Sequence, residues 1–178
     1  FKRMGTFKDA EREEMEHFEE HLATVETNKN KETTDVMMDV EPTTESIAEL
    51  TDRNSEWRKQ LRTSMKAKER TAIERVKMPE LDPVYRATTR TEEVNIGLTK
   101  EMALTEAKRC LDCPKPTCME GCPVSINIPS FIKNIERGQF LAAAKVLKNT
   151  SALPAVCGRV CPQEKQCESK CIHLKMNE

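Results

Sequence analysis

The chain has 178 residues, of which 33% are charged and only 4% aromatic, with a mean hydropathy of -0.67. Too little apolar material is present for a large core, so a small domain with poorly packed flanking segments is expected. The net charge of -1 excludes a global electrostatic case for nucleic acid or an anionic membrane surface. Residues 110–178 carry 9 Lys and Arg against 6 Asp and Glu (+3), leaving 20 against 24 (-4) upstream.

No apolar run reaches the length of about 18 residues that a spanning helix needs, so no membrane role is expected. The first residue is Phe1 and no export signal is visible, so the chain is expected to begin inside a longer, cytoplasmic protein. In a reducing compartment, grouped cysteines point to metal or redox chemistry rather than structural disulfides.

In chain order, residues 7–25 read as a helix, with Met15, Phe18, Leu22 and Val25 recurring at helical spacing on an acidic background. His17, Glu20 and His21 within it fit the H-x-x-E-H pattern of one metalloprotease class. A solvated acidic face is the favoured reading, because a zinc site needs a third protein ligand and a cleft. Residues 26–35 are polar and simple, a linker. A long helix is predicted over 44–76, with Ile47, Leu50, Trp57, Leu61, Met65, Ala72, Ile73 and Val76 near one side and Asn54 and Lys68 interrupting it. Such a stripe is an ordinary packing face, with docking of a partner helix as the alternative.

Pro79 and Pro83 make 78–86 an extended connector, continued through 88–97. Thr99 is the predicted N-cap of a short helix, Lys100 to Arg109, that delivers Cys110. After Cys122-Pro123 the chain is extended to Pro129, which suits the first turn of a helix through Phe131, Ile132 and Ile135 that stops near Gly138. A further helix carries Phe140, Leu141, Ala144, Val146 and Leu147 and is ended by 152–154. Pro162 opens a last helical segment whose Cys167 and Cys171, four apart, would share a face. With no strand pattern, the expected fold is all-α.

All 8 cysteines fall in two runs: Cys110, Cys113, Cys118 and Cys122, then Cys157, Cys161, Cys167 and Cys171. Disulfides, two zinc ions and iron-sulfur clusters compete for them. Structural zinc sites favour two close pairs separated by a spacer, whereas the first four cysteines come without one. Cys110, Cys113 and Cys118 let a short loop wrap one face of a cubane. Cys122 precedes Pro123 as in the bacterial ferredoxin run, whose last cysteine serves a second cluster. Cys161 also precedes a proline, and the second run would supply the complementary ligands.

The residues from Arg75 onward resemble the iron-sulfur domain shared by four enzymes. These are the small (β) subunit of NADPH-dependent glutamate synthase, the N-terminal part of dihydropyrimidine dehydrogenase, sulfide dehydrogenase, and bifurcating ferredoxin:NADP oxidoreductase. The resemblance is carried by Met78-Pro79-Glu80, Arg109-Cys110-Leu111-Asp112-Cys113, Gly121-Cys122-Pro123-Val124 and Ile128-Pro129-Ser130-Phe131-Ile132. It continues in Leu153-Pro154-Ala155-Val156-Cys157-Gly158-Arg159-Val160-Cys161-Pro162-Gln163-Glu164. It implies a small helical domain wrapped around two [4Fe-4S] clusters. Cys110, Cys113, Cys118 and Cys171 would hold the first, and Cys122, Cys161 and Cys167 the second. The fourth ligand of the second is either Cys157 or a Glu or Gln beyond Glu178.

The opening residues 1–11 resemble the tail of the ferredoxin-NADP reductase-like partner of the same systems. The implied organisation is a helical tail of a preceding module (1–25), a linker (26–43), the long helix and connector (44–98) and the two-cluster domain (99–178). FAD and NADPH would bind in parts outside this sequence, since no Gly-x-Gly-x-x-Gly fingerprint occurs in it. The implied partners are those flavin and NADPH domains, a glutamate synthase large subunit or a ferredoxin-NADP reductase-like module. The expected function is relay of single electrons between flavin and an acceptor, with no catalytic residue and no activity in this piece alone. A structural four-cysteine zinc module for subunit assembly is the alternative.

Overall fold

The computed structural model describes residues 43–175. The predicted tail helix with His17, Glu20 and His21, and nearly all of the predicted linker, lie outside the described residues. Among the described residues the fold is helical, as expected. Regular β structure is limited to one antiparallel bridge, Glu80 to Asn95. No described helix is long and apolar enough to cross a membrane.

The segment predicted as one long helix is three short ones: α1 (Ile47–Thr51), α2 (Glu56–Ser64) and α3 (Ala67–Thr71). Ser46 starts α1 with a capping box, its hydroxyl accepting from Glu49 N–H while the Glu49 carboxylate takes the Ser46 N–H. The first break falls at Asp52, whose carboxylate accepts the Asn54 N–H at 2.8 Å in a local turn that competes with the helix. The second is at Met65, in extended backbone (φ -139, ψ 120), after which Glu69 restarts α3 by accepting the Lys66 N–H at 2.6 Å. The buried face differs from the predicted stripe. Leu50 is buried, but so are Arg58 and Arg70, while Ala72 is exposed.

The connector is extended at 78–82, but Pro83 opens α4 (Pro83–Thr88), capped by the Asp82 carboxylate. The prolines that argued against a continuous helix thus place one of them at a first turn, where its missing N–H costs nothing. Thr99 caps α5 (Lys100–Arg109), accepting from Met102 N–H at 3.3 Å, as predicted. Short α6 (Thr117–Glu120) follows. Then comes α7 (Ile128–Glu136), with Pro129 in its first turn and Asn127 accepting the Ser130 N–H. Gly138, at φ +80, turns the chain into α8 (Phe140–Lys148). Pro154 does not merely end the preceding helix; it starts α9 (Pro154–Val160), an element not foreseen. The last predicted helix is two 3-10 turns, Gln163–Lys165 and Glu168–Lys170, and then α10 (Ile172–Lys175). Gln166, at φ -111 and ψ -105, breaks the ladder between the turns, so Cys167 and Cys171 flank a turn instead of sharing a helical face.

The apolar core is small: Leu50 of α1 meets Ala142 and Val146 of α8, with Phe131 of α7 beside them. Much of the interior is polar and paired. Asn134 donates to the Leu50 and Ser130 carbonyls at 3.3 and 2.8 Å. Arg137 forks onto Glu45 and lies 4.0 Å over the Trp57 ring. Arg70 pairs with Glu136 at 2.9 Å and donates to the carbonyls of Lys108 and Leu61. Among the described residues no buried side-chain nitrogen or oxygen lacks a hydrogen-bond partner.

Candidate metal centre

The first cysteine run begins where α5 ends. Cys110 is its C-cap, leaving the helix at φ -60 and ψ 123, and its carbonyl accepts from the buried Lys133 ammonium at 2.6 Å. Lys133 is held in turn by Glu136 at 2.5 Å. Two residues on, Asp112 adopts φ +52, a left-handed conformation that aspartate tolerates better than most side chains. Its carboxylate is fully buried. Arg58 donates Nε and Nη2 to the two oxygens at 3.0 and 2.6 Å, and Arg62 donates to one of them at 2.6 Å. Arg53 forks onto the Asp112 carbonyl at 3.2 and 2.9 Å. Burial pushes the Asp112 carboxyl up, but the bonds and charges of Arg58 and Arg62 outweigh it and hold the group below the usual carboxylate range.

Cys118 lies in α6, and beside it the last cysteine returns. The Thr117 hydroxyl donates to the Lys170 carbonyl at 2.5 Å, and the His173 ring nitrogen Nε2 lies 3.0 Å from the Arg109 carbonyl. These two tethers bracket Cys171 and end next to Cys118 and Cys110. The four thiols accordingly feel one another. Burial, then the thiols of Cys110, Cys171 and Cys113, push Cys118 up to about 12. Burial followed by Cys171 raises Cys113. Burial raises Cys110 as well, against the opposing charge of Lys133.

A second grouping forms around Gln166. A Cβ on Gly121 would sit 2.5 Å from the Gln166 carbonyl oxygen and 3.0 Å from Cys167 Cα, so only glycine lets the two cysteine runs approach here. The Gln166 amide oxygen accepts the Cys161 thiol at 3.1 Å, and Cys122 Sγ accepts the Ile126 N–H at 3.5 Å. Burial, with a smaller contribution from Cys161, raises Cys167. Cys157 lies one turn of α9 before Cys161, whose N–H bonds to its carbonyl at 2.9 Å, and Cys157 Sγ is 3.9 Å from the Ser151 hydroxyl.

All eight cysteines are free and partly buried. Among the described residues no group of three or more His, Cys, Asp or Glu converges on a single metal-ion position. Soft thiol donors that influence one another electrostatically have the donor chemistry of zinc or of an iron-sulfur cluster. Sequence reasoning missed Arg53, Arg58, Arg62 and Lys133, and it took Gly121 only as part of a matching stretch, with no structural role. Arg58 and Arg62 at i and i+4 were a signal, since two arginines on one helical face beside apolar neighbours can reach one inward carboxylate.

Comparison with known proteins accords with this arrangement. Residues 86–178, more than half the chain, match the family described as dihydropyrimidine dehydrogenase domain II, 4Fe-4S cluster. The small chain of NADPH glutamate synthase from Azospirillum brasilense is 35% identical over 54% of this chain and 20% of its own length. The corresponding protein of Halomonas elongata is 38% identical over 52% of this chain and 20% of its own. The NAD-dependent dihydropyrimidine dehydrogenase subunit PreT of Escherichia coli is 40% identical over 45% and 19%. The chain thus spans about a fifth of the length of the curated relatives it matches. Its matched residues and its gathered free thiols agree: the chain belongs to the dihydropyrimidine dehydrogenase domain II family of 4Fe-4S domains.

Proposed function

We propose that the chain is a two-cluster electron-transfer domain of a larger flavin- and NADPH-dependent oxidoreductase of the glutamate synthase type. Cys110, Cys113, Cys118 and Cys171 hold one [4Fe-4S] cluster. Cys122, Cys157, Cys161 and Cys167 hold the other. The observation that carries this reading is the pair of tethers, Thr117 to Lys170 and His173 to Arg109, that return Cys171 to the first cysteine run. Cys157 completes the second set because one helical turn puts it on the side of α9 that faces Cys161.

Such clusters supply one-electron transfer. The chain's own residues hold thiolates in place: Lys133 and Arg53 fix the backbone between Cys110 and Cys113, and Gly121 lets Cys122 approach Cys167. No acid or base chemistry is assigned to these residues. Electrons enter from, or leave to, flavin and NADPH domains outside this sequence, and a glutamate synthase large subunit or a ferredoxin-NADP reductase-like module is the partner. Residues 44–98 are a supporting segment for the cluster domain at 99–178, and free cysteine thiols support the reading of a reducing, cytoplasmic compartment.

Serine substitution tests the ligand sets. After anaerobic reconstitution, C171S and C113S should each lose the same paramagnetic signal, and C157S and C167S the other. Loss of one common signal by C113S and C167S, or no iron-dependent signal in the unaltered chain, contradicts the assignment.

A further inference from the structure

We propose that Arg53, Arg58 and Arg62 are positioning residues that hold the 110–113 turn through Asp112 and raise the reduction potential of the first cysteine set above that of the second. This rests on the reading of the thiols as cluster ligands. The arginines lie before residues 86–178, which match the family, so the matched residues alone do not complete the site.

Geometry makes the case. Asp112 stands between two thiol-bearing residues, in left-handed backbone and with no exposed surface. A carboxylate so buried is stable only if its oxygens are bonded by cations, and Arg58 and Arg62 supply those bonds. Arg58 is anchored besides by the Ser130 hydroxyl at 2.8 Å and the Thr51 carbonyl at 3.2 Å, which tie α2 to α7 and α1. Arg62 also donates to the Arg53 carbonyl at 2.9 Å, and Arg53 spends its fork on the Asp112 carbonyl. The backbone between Cys110 and Cys113 is thereby gripped at both its carboxylate and its carbonyl.

Two guanidiniums converge on the Asp112 carboxylate and a third on its backbone carbonyl, an excess of positive charge at the turn. A reduced cluster carries one more negative charge than an oxidised one, so nearby buried cations favour the reduced form. In the second set, Cys161 and Cys122 are hydrogen-bonded to neutral groups, the Gln166 amide and the Ile126 N–H, and the charged neighbour of Cys167 is the anionic Glu168. The first set therefore takes the electron preferentially.

The test is an anaerobic redox titration of the reconstituted full chain followed by electron paramagnetic resonance. Arg62 is partly exposed, with 21% of its side chain accessible, so its replacement leaves little buried void. R62Q and R53Q should keep both clusters and make one couple harder to reduce by about tenfold, or about 59 mV for one electron. That couple should be the one lost in C171S. R62K and R53K should stay near the unaltered value. Loss of iron in the glutamine variants with retention in the lysine variants also supports a role for charge. Unshifted couples in iron-replete R62Q and R53Q overturn the proposal, as does an equal shift in the lysine variants or loss of iron in all four. An unaltered chain that takes up no iron and sulfide removes the cluster reading itself, a separate outcome.

Discussion

Asp112 shows how a single side chain links sequence to site. Its left-handed backbone turns the chain between Cys110 and Cys113, whose thiols influence one another, and its carboxylate recruits helix α2. Removing one partner of a buried ion pair leaves the other desolvated, so D112A should lower unfolding stability by about 3–5 kcal/mol, measured by denaturant titration. A change under 1 kcal/mol would show that the arginines find other partners. Gly121 makes a complementary prediction. G121A pushes a methyl group into the Gln166 backbone and should cost about 1–3 kcal/mol, with the loss falling on the signal shared by Cys122 and Cys167. G158A, where nothing lies within 4 Å of the added carbon, is the control. Alanine there should be neutral or stabilising by up to about 1 kcal/mol, because it replaces a helical glycine.

At the level of elements, legibility followed the range of the interactions. The Thr99 cap, Pro129 in a first turn and Gly138 as a stop are local signals, and each element formed where the chain announced it. The break near Asn54 had a local signal too, since that residue interrupted the predicted stripe. The break at Met65 had none. Lys68, the other interruption, lies inside α3, and the fracture is held by Arg70 bonding back to the Met65 and Leu61 carbonyls while pairing with distant Glu136. Pro154 was ambiguous, since proline ends one helix and begins another by the same missing N–H. The grip of three arginines on Asp112 spans 50 to 59 positions and has no periodic trace. The local caps make their own prediction. Ser46 bonds hold the Glu49 carboxyl below its ordinary range, so the capping box contributes above that range and is lost as pH falls through the lowered value. A carbon-detected titration of Glu49 should show this lowered midpoint, and S46A, which removes the hydroxyl but keeps the backbone N–H on the carboxylate, should bring it back only part of the way. An unchanged midpoint in S46A would show that the hydroxyl adds nothing to the backbone N–H.

For the whole molecule, the lean apolar composition read from sequence reappears as a core of few residues and an interior of paired charge. Burying ion pairs gains little net stability over apolar packing, but it makes each partner costly to remove. The segment 43–71 is therefore integral: Glu45, Leu50, Arg58 and Arg70 each engage α7, α8 or the first cysteine turn. Had that segment been only a docking helix, its deletion would spare the metal; here deletion should reduce iron retention as well. The cysteine runs were legible as two blocks and the resemblance implied their sorting into two sets; what the sequence did not offer is the pair of tethers, Thr117 to Lys170 and His173 to Arg109, that bring Cys171 back beside the first run. The most direct test of the central claim is iron and acid-labile sulfide analysis of the anaerobically reconstituted chain. Two [4Fe-4S] clusters predict a brown protein with about eight iron and eight sulfide per chain. A colourless protein holding zinc with neither iron nor sulfide would contradict the account.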